Sequence, residues 1–456
     1  MEKWSSDERR EGLTMLNTEH VNNAFFQEIR ESVKDGLIPG KIHNDEEIFE
    51  MEKKKLFGKA WVFVAHETEI PNPGDYVLRY VVDDSVIVSR GDDNKINVFF
   101  NYCTHRGMPL CRSECGNTKK FTCPYHGFIF KNNGELAAVP SEKLIFGPDG
   151  LDRKKYSLYS AAQVDTYNGL IFVCLDPEGE SLQSYLGDMR WYLDFFTART
   201  EGGFEVIGPP ERWIVNADWK LASENLAGDS YHASFTHQSV MEVGIHPNKI
   251  NDFKPGGKRD GIDIDASAGT MAFATSSPQE RGYTDELVEQ FRNCLSPEQV
   301  KVFTGENARW PTRAHVFPNL SFLNAAAIIK PGVLVPCLMM RLWRPLGAGK
   351  TEVFSWVLVE KTAPDWFKEA TMRAYVLTFG ASGTEDQDDA ENWIGITQAV
   401  KTTFSKDFTH LIGGGLKSPD VHILEDWPGP GKAYSTNKSD MGQRLLINKW
   451  LDYMMK

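Results

Sequence analysis

Cys103-Thr104-His105-Arg106-Gly107 and, after seventeen residues intervening from His105, Cys123-Pro124-Tyr125-His126-Gly127 are the two stretches that decide how this chain is read. Each pairs one thiol with one imidazole on a short segment, in the pattern C-x-H…C-x-x-H. Two cysteines and two histidines fit either a tetrahedral zinc or a 2Fe–2S centre in which histidines replace cysteines on one iron. Three details favour the cluster. The C-x-H spacing is tighter than the usual zinc C-x₂₋₄-C. A glycine follows each histidine, Gly107 and Gly127, which would let backbone approach the sulfurs. Strand-like runs flank both halves. Cys111 and Cys115 lie between the halves without a paired histidine and read as packing residues.

Working outward, Tyr76–Val82, Ser85–Ser89, Ile96–Phe100 and Gly169–Leu175 are short β-type runs, the first two separated by Asp83-Asp84. Such spacing suggests a small all-β module over 58–176 that carries the ligand loops. Residues 1–57 read as mainly helical, with Asn44-Asp45-Glu46-Glu47 as a cap and acidic first turn before Phe49, Met51, Leu56 and Phe57. Asp176-Pro177-Glu178-Gly179 marks a turn and a boundary. Within 177–456, the stretches 322–329, 338–343 and 352–359 are strand-like, while 363–379 and 389–403 are helical. That mixture predicts an α+β domain with an antiparallel sheet covered by helices. Gly413-Gly414-Gly415 lacks the context of a phosphate loop and reads as a flexible loop.

A second constellation lies in this larger part. His232 and His237 follow Asp229, and the acidic run Glu385-Asp386-Gln387-Asp388-Asp389 comes much later. Two histidines and one carboxylate can bind an Fe(II) on one face and leave the other open to O₂ and substrate. An ideal helix would hold residues five apart about 140° from each other. A shared metal therefore requires a π-type turn, a kink or a helix end between them. Which of Asp388 and Asp389 points inward stays open at this level. His20, His43, His66, His246, His315, His410 and His422 lack such context and read as surface or core residues, with His315 the one candidate to face a cavity.

Composition narrows the function classes. The 456 residues suit two domains, and 41% hydrophobic with 25% charged residues is ordinary for a globular chain. The net charge of −13 argues against nucleic acid as the main partner. There is no apolar run of spanning length, and Met1–Arg10 carries no secretory h-region. With seven cysteines, an odd number for a disulfide framework, the expectation is reduced thiols in a cytoplasmic protein without membrane attachment.

The chain resembles the α (large) subunit of bacterial Rieske non-haem iron aromatic-ring-hydroxylating dioxygenases, the naphthalene, biphenyl and polycyclic-hydrocarbon group. The resemblance rests on Asn101–Gly107, Cys123–Gly127, the block from Asp229 to His237, Phe379-Gly380-Ala381-Ser382-Gly383 leading into Asp388-Asp389, and the closing Gln443-Arg444 and Trp450. Thr384-Glu385 stands where relatives often carry a bulky pair.

The resemblance implies a Rieske 2Fe–2S domain inserted into a helix-grip-like catalytic domain with a mononuclear Fe(II). Cys103 and Cys123 would hold one cluster iron, and His105 and His126 the other. His232, His237 and Asp389 would hold the mononuclear iron, with Asp388 the alternative. Electrons from NADH would arrive through a reductase and a ferredoxin, and both atoms of O₂ would go to adjacent ring carbons, giving a cis-dihydrodiol. An α₃ or α₃β₃ assembly is implied, in which Asp229 would link His232 to His126 of the neighbouring subunit and so act as a catalytic residue. Asn225, Leu226, Ala233, Phe235 and Phe379 would line the substrate pocket. The last four are apolar, which points to a neutral aromatic hydrocarbon, because a buried carboxylate needs a cationic partner.

Monohydroxylation, O-demethylation and attack on an aromatic carboxylate are the competing reactions within the superfamily. A pure electron carrier would need neither 177–456 nor the His232/His237 pair. Five basic residues surround the first motif (Arg106, Arg112, Lys119, Lys120, Lys131) against a single acid, Glu114, which suggests a collar for an acidic ferredoxin.

Overall fold

The computed structural model describes residues 21–246 and 261–456. The Met1–Arg10 segment and His20 lie outside the described residues. The chain divides into two compact units, one of residues 57–182 and one of 1–56 with 183–456.

The smaller unit is built of short antiparallel strands. β1 (Val62–His66) pairs with β10 (Leu170–Cys174), which also pairs with β9 (Gln163–Tyr167). A four-stranded sheet orders β4 (Ile96–Phe100), β3 (Asp84–Arg90), β2 (Asp75–Val81) and β5 (Cys115–Asn117). β6 (Lys120–Thr122), β7 (Ile129–Lys131) and β8 (Leu136–Ala138) form a third sheet. Val81 pairs with Asp84, so the β2–β3 turn is Val82-Asp83, one residue before the expected Asp83-Asp84. Ile87, Phe99, Phe121, Phe128 and Phe130 form one apolar core together with Cys103, Cys111 and Cys123. Cys111 is thus a packing residue. Cys115 is not: it is exposed on β5, a strand at the end of its sheet.

The larger unit is organised by one antiparallel sheet. Its order is β11 (Phe204–Val206), β18 (Lys350–Glu360), β17 (Val333–Gly347), β16 (Leu320–Lys330), β15 (Arg309–Val316), β14 (Gly269–Thr275), β13 (Gly261–Ala266) and β19 (Lys432–Tyr434), with β12 (Glu211–Val215) also paired to β18. Helices α1 (Asn23–Val33) and α2 (Glu46–Glu52), from the N-terminal segment, belong to this unit, as do α3 (Met189–Thr197) and α7 (Asp285–Cys294).

Helix α4 (Trp219–Gly228) leads into the histidine segment, and both its ends are fixed. Asp218 caps it, accepting the Lys220 N–H at 3.0 Å. The fully buried Lys220 ammonium lies 2.7 Å from Glu52 of α2, whose carboxylate also accepts the indole N–H groups of Trp219 and Trp450. Three hydrogen-bonded partners around one buried carboxylate satisfy a charge that would otherwise be costly. At the other end a Cβ on Gly228 would lie 2.6 Å from Gly442 Cα, so only glycine lets α4 meet the start of α10 (Met441–Met454).

Helices α8 (Asp365–Thr378) and α9 (Thr384–Ala399) follow β18. α9 starts five residues earlier than the expected 389. Its acidic run is therefore not a solvated helix start: Glu385, Asp386 and Asp389 are buried on the same face as Ala390, Trp393 and Thr397. The Gly413–Gly415 loop has fixed partners rather than being free. The Gly414 N–H donates to Asp440 at 2.7 Å, and Arg444 donates to the carbonyls of Ile412 and Gly414. Among the described residues no helix is long and apolar enough to cross a membrane.

Candidate functional site

The two cysteine–histidine loops of the smaller unit have the same backbone architecture. Cys103 N–H donates to Met108 O at 3.0 Å and Gly107 N–H to Cys103 O at 2.8 Å. In the second loop Cys123 N–H donates to Phe128 O at 2.8 Å and Gly127 N–H to Cys123 O at 3.0 Å. Gly107 and Gly127 adopt φ +73° and +71°. Each closes a tight turn in the left-handed region that side chains avoid. Their role is the turn itself; a Cβ would strike Tyr102 at 2.7 Å or Pro140 at 2.9 Å.

The turns bring both thiols inward and both imidazoles outward. Cys103 and Cys123 are buried, while His105 is partly exposed and His126 exposed. The two imidazole centroids are 4.5 Å apart. His105 stacks on Phe128 at 4.8 Å, and its Nδ1 is buried without a partner. Burial pushes the Cys103 thiol up to about 11, with Cys123 beside it adding to the rise. Burial, with His126 and Arg106 nearby, lowers His105 and keeps it neutral, the state a metal needs.

A single zinc would draw all four ligand atoms to within about 4 Å of one another. No three of them converge even within 4.8 Å; the one trio of metal-type side chains among the described residues that does so lies in the larger unit. That trio is His232, His237 and Asp389.

α4 ends at Gly228, and Asp229 leaves the helix with φ −96° and ψ 81°. His232 precedes the single turn α5 (Ala233–Thr236). His237 sits at the break between α5 and α6 (Gln238–Glu242), with φ −101° and ψ 22°. This is the interruption that the five-residue spacing requires. Nε2 of His232 and Nε2 of His237 each lie 3.3 Å from Asp389 Oδ1. The other ring nitrogens face acids as well: His232 Nδ1 lies 3.3 Å from Asp229 Oδ1, and His237 Nδ1 lies 3.4 Å from Asp388 Oδ2. The adjacent acids thus face opposite nitrogens of His237, Asp389 inside the trio and Asp388 behind it. The Asn225 amide approaches Asp389 Oδ2 at 3.5 Å. Burial would lower His232, yet Asp229 and Asp389 together raise it to about 10. Asp389 is held below the usual carboxylate range by the two imidazoles, against the effect of burial.

The trio opens on a cavity of about 920 Å³, counting its mouth. Asn225, Leu226, Ala233 and Phe379 line it as expected. Phe235 does not: its side chain is 82% exposed. It lies on the single turn α5, between the two histidines. Sequence reading also placed no cation here, whereas Arg313 and Arg341 both line the wall. Each is neutralised. Arg313 Nη2 lies 2.9 Å from Asp263 Oδ1, and Arg341 bonds Asp386 and the Phe379 carbonyl. His246 and Glu385 line the cavity too, 3.9 Å apart. His315 does not line it; it is buried in the sheet against Ser321 at 3.0 Å.

Residues 182–425 match the catalytic domain of the ring hydroxylating alpha subunit, and residues 60–149 match the Rieske 2Fe–2S domain. The chain belongs to the ring-hydroxylating alpha subunit family. It is therefore a Rieske oxygenase α subunit, an oxidoreductase with a 2Fe–2S cluster and a mononuclear non-haem iron as cofactors.

This α subunit is 38% identical over 437 residues to the N,N-dimethyl phenylurea N-demethylase subunit alpha of Sphingobium sp., covering 93% of this chain and 92% of the relative. It is 35% identical to the large oxygenase component of the naphthalene 1,2-dioxygenase system of Pseudomonas aeruginosa, covering 85% of each chain. The crystal structure of naphthalene 1,2-dioxygenase from Rhodococcus sp. bound to indole aligns with a TM-score of 0.88 at 38% identity, covering 95% of this chain and 99% of that one.

Proposed function

We propose that this α subunit adds both atoms of O₂ to adjacent carbons of a neutral aromatic ring, giving a cis-dihydrodiol. One observation carries the reading. The His232–His237–Asp389 trio opens on a cavity whose ring-facing side chains are apolar and whose two arginines are each matched by a buried aspartate. An aromatic carboxylate would find no unmatched cation on that wall.

Both residue sets fit the cofactors of the family. Cys103 and Cys123 would hold one iron of the cluster, and His105 and His126 the other. The fit rests on the two equivalent turns and on the buried, unpartnered Nδ1 of His105. His232, His237 and Asp389 would hold the mononuclear iron, leaving its far side to substrate and O₂. When bound, the cluster supplies electrons and the iron activates O₂.

The remaining work belongs to the side chains. Asp229 and Asp388 lie on the Nδ1 sides of the two imidazoles and keep both Nε2 atoms turned inward. Asn225 steadies the second oxygen of Asp389. Leu226, Ala233, Leu323, Ala325 and Phe379 seat the ring and exclude water. Electrons come from NADH through a reductase and a ferredoxin, and the chain works in the cytoplasm in an α₃ or α₃β₃ assembly.

A second reading, oxidative N-demethylation, is favoured by the 38% identity to an N-demethylase α subunit. The reconstituted system should be offered naphthalene, biphenyl, benzoate and an N,N-dimethyl phenylurea. Dihydrodiols from the hydrocarbons are expected. Formaldehyde from the urea with no dihydrodiol from any ring would establish the second reading, and turnover of benzoate alone would overturn the neutral-substrate assignment.

A further inference from the structure

One end of the cavity departs from its apolar lining. Ser230 and Arg313 meet the cavity there. Arg313 pairs with Leu323 across β15 and β16, so both side chains project from the same face of the sheet, and both line the cavity. The Arg313 guanidinium carries five N–H donors. Nη1 donates to Ser230 Oγ and Nη2 to Asp263 Oδ1. Among the described residues its other N–H groups meet no acceptor, and Nε is buried without one. A buried donor without a partner is costly, and Arg313 brings spare donors to this end of the cavity.

We propose that this end of the cavity binds an uncharged hydrogen-bond acceptor carried on the substrate's ring, of the ketone or amide carbonyl class, with Arg313 as the donor. The inference rests on the reading that the cavity takes an aromatic ring, and it narrows which ring. The acceptor is uncharged because Arg313 is already matched by Asp263, which is fully buried. A substrate carboxylate would add a second negative charge beside one cation, with Asp229 close by. A plain hydrocarbon would leave the spare donors facing apolar surface. A carbonyl meets them while its ring lies against Leu226, Leu323 and Phe379.

The test uses shape-matched ligands. Fluorene, fluorenone and 9-fluorenecarboxylate are titrated calorimetrically into the full chain with both iron centres loaded. Fluorenone should bind about tenfold more tightly than fluorene, the worth of a hydrogen bond to a charged donor. The carboxylate should bind no better than fluorene. Replacing the pair by apolar side chains, Arg313→Met with Asp263→Leu, should bring the ketone-to-hydrocarbon ratio to about one, because both charges leave together. Equal affinities in the wild type, tighter binding of the carboxylate than of the ketone, or a ratio that survives the double substitution would overturn the proposal. If the double variant does not fold, the wild-type ratio still decides. Failure of the proposed reaction shows separately, as bound ligands that yield no diol, and leaves the affinity ratio to judge this subsite.

Discussion

Asp229 Oδ1 lies 3.3 Å from Nδ1 of His232, on the side of the ring opposite the Nε2 that faces Asp389. A carboxylate in that place would fix the imidazole tautomer and leave Nε2 free as a ligand. Asp229→Asn keeps the shape and removes the charge. Both iron centres should remain filled and the cluster spectrum unchanged, while single-turnover product formation by the pre-reduced enzyme falls at least a hundredfold. A wild-type rate would remove Asp229 from the catalytic machinery.

The two adjacent acids of α9 should separate by metal content. Asp389→Ala removes the carboxylate that both imidazoles face, so the mononuclear iron should be lost while the cluster keeps its two irons. Asp388→Ala removes only the partner behind His237, and iron should stay near full occupancy with affinity reduced about ten- to a hundredfold. Iron analysis of the two variants, with the visible spectrum as the cluster control, checks the assignment.

Much of this site was legible from residue spacing alone, and the parts that were not have physical causes. The cysteine–histidine loops could be read because each carries its ligands within four residues. The break at His237 followed from helical geometry applied to a five-residue interval. Strands β13 and β15 were hidden because Asp263 and Arg313 interrupt their apolar patterns, and these two charges meet only across the folded sheet. The same pairing hid Arg313 as a cation of the cavity. Phe235 failed as a lining residue because its direction is set by the one-turn helix α5, whose start and stop no motif announces.

Phe379 lines the cavity and its carbonyl is held by Arg341, so the ring has a fixed seat. Phe379→Val opens space there without touching a metal ligand. The ratio of regioisomeric products from a bicyclic substrate should change severalfold, as read by chromatography, with iron content unaltered. An unchanged ratio would show that Phe379 does not steer the ring.

His315 gives the fold an acid limit. Its ordinary value of 6.5 is lowered to about 3 by burial, with Lys449 acting in the same direction. The unfolded chain therefore takes up a proton that the folded chain refuses. The resulting stability is fully present above pH 6.5 and is lost as the pH falls toward 3. His315→Gln should flatten the stability-against-pH profile across that window in denaturant titrations. A profile parallel to wild type would contradict the assignment.

Around the cluster loops Arg106, Arg112, Lys119 and Lys120 are exposed, while Lys131 is engaged with Glu135 at 2.7 Å. If these four charges steer an acidic ferredoxin, cluster reduction should slow as salt rises. Lys119→Glu with Lys120→Glu should reduce the second-order rate by about tenfold at low salt and by less at high salt. Stopped-flow reduction over a salt series measures both effects, and a rate indifferent to salt and to the substitutions would rule the collar out.

The most direct test of the account is the fate of ¹⁸O₂ in a single turnover of the fully loaded enzyme with a neutral aromatic substrate. Mass spectrometry should find two ¹⁸O atoms in each product molecule, on adjacent ring carbons. A product carrying one ¹⁸O, or a demethylated product released with formaldehyde, would contradict the assignment of this chain as a ring dioxygenase.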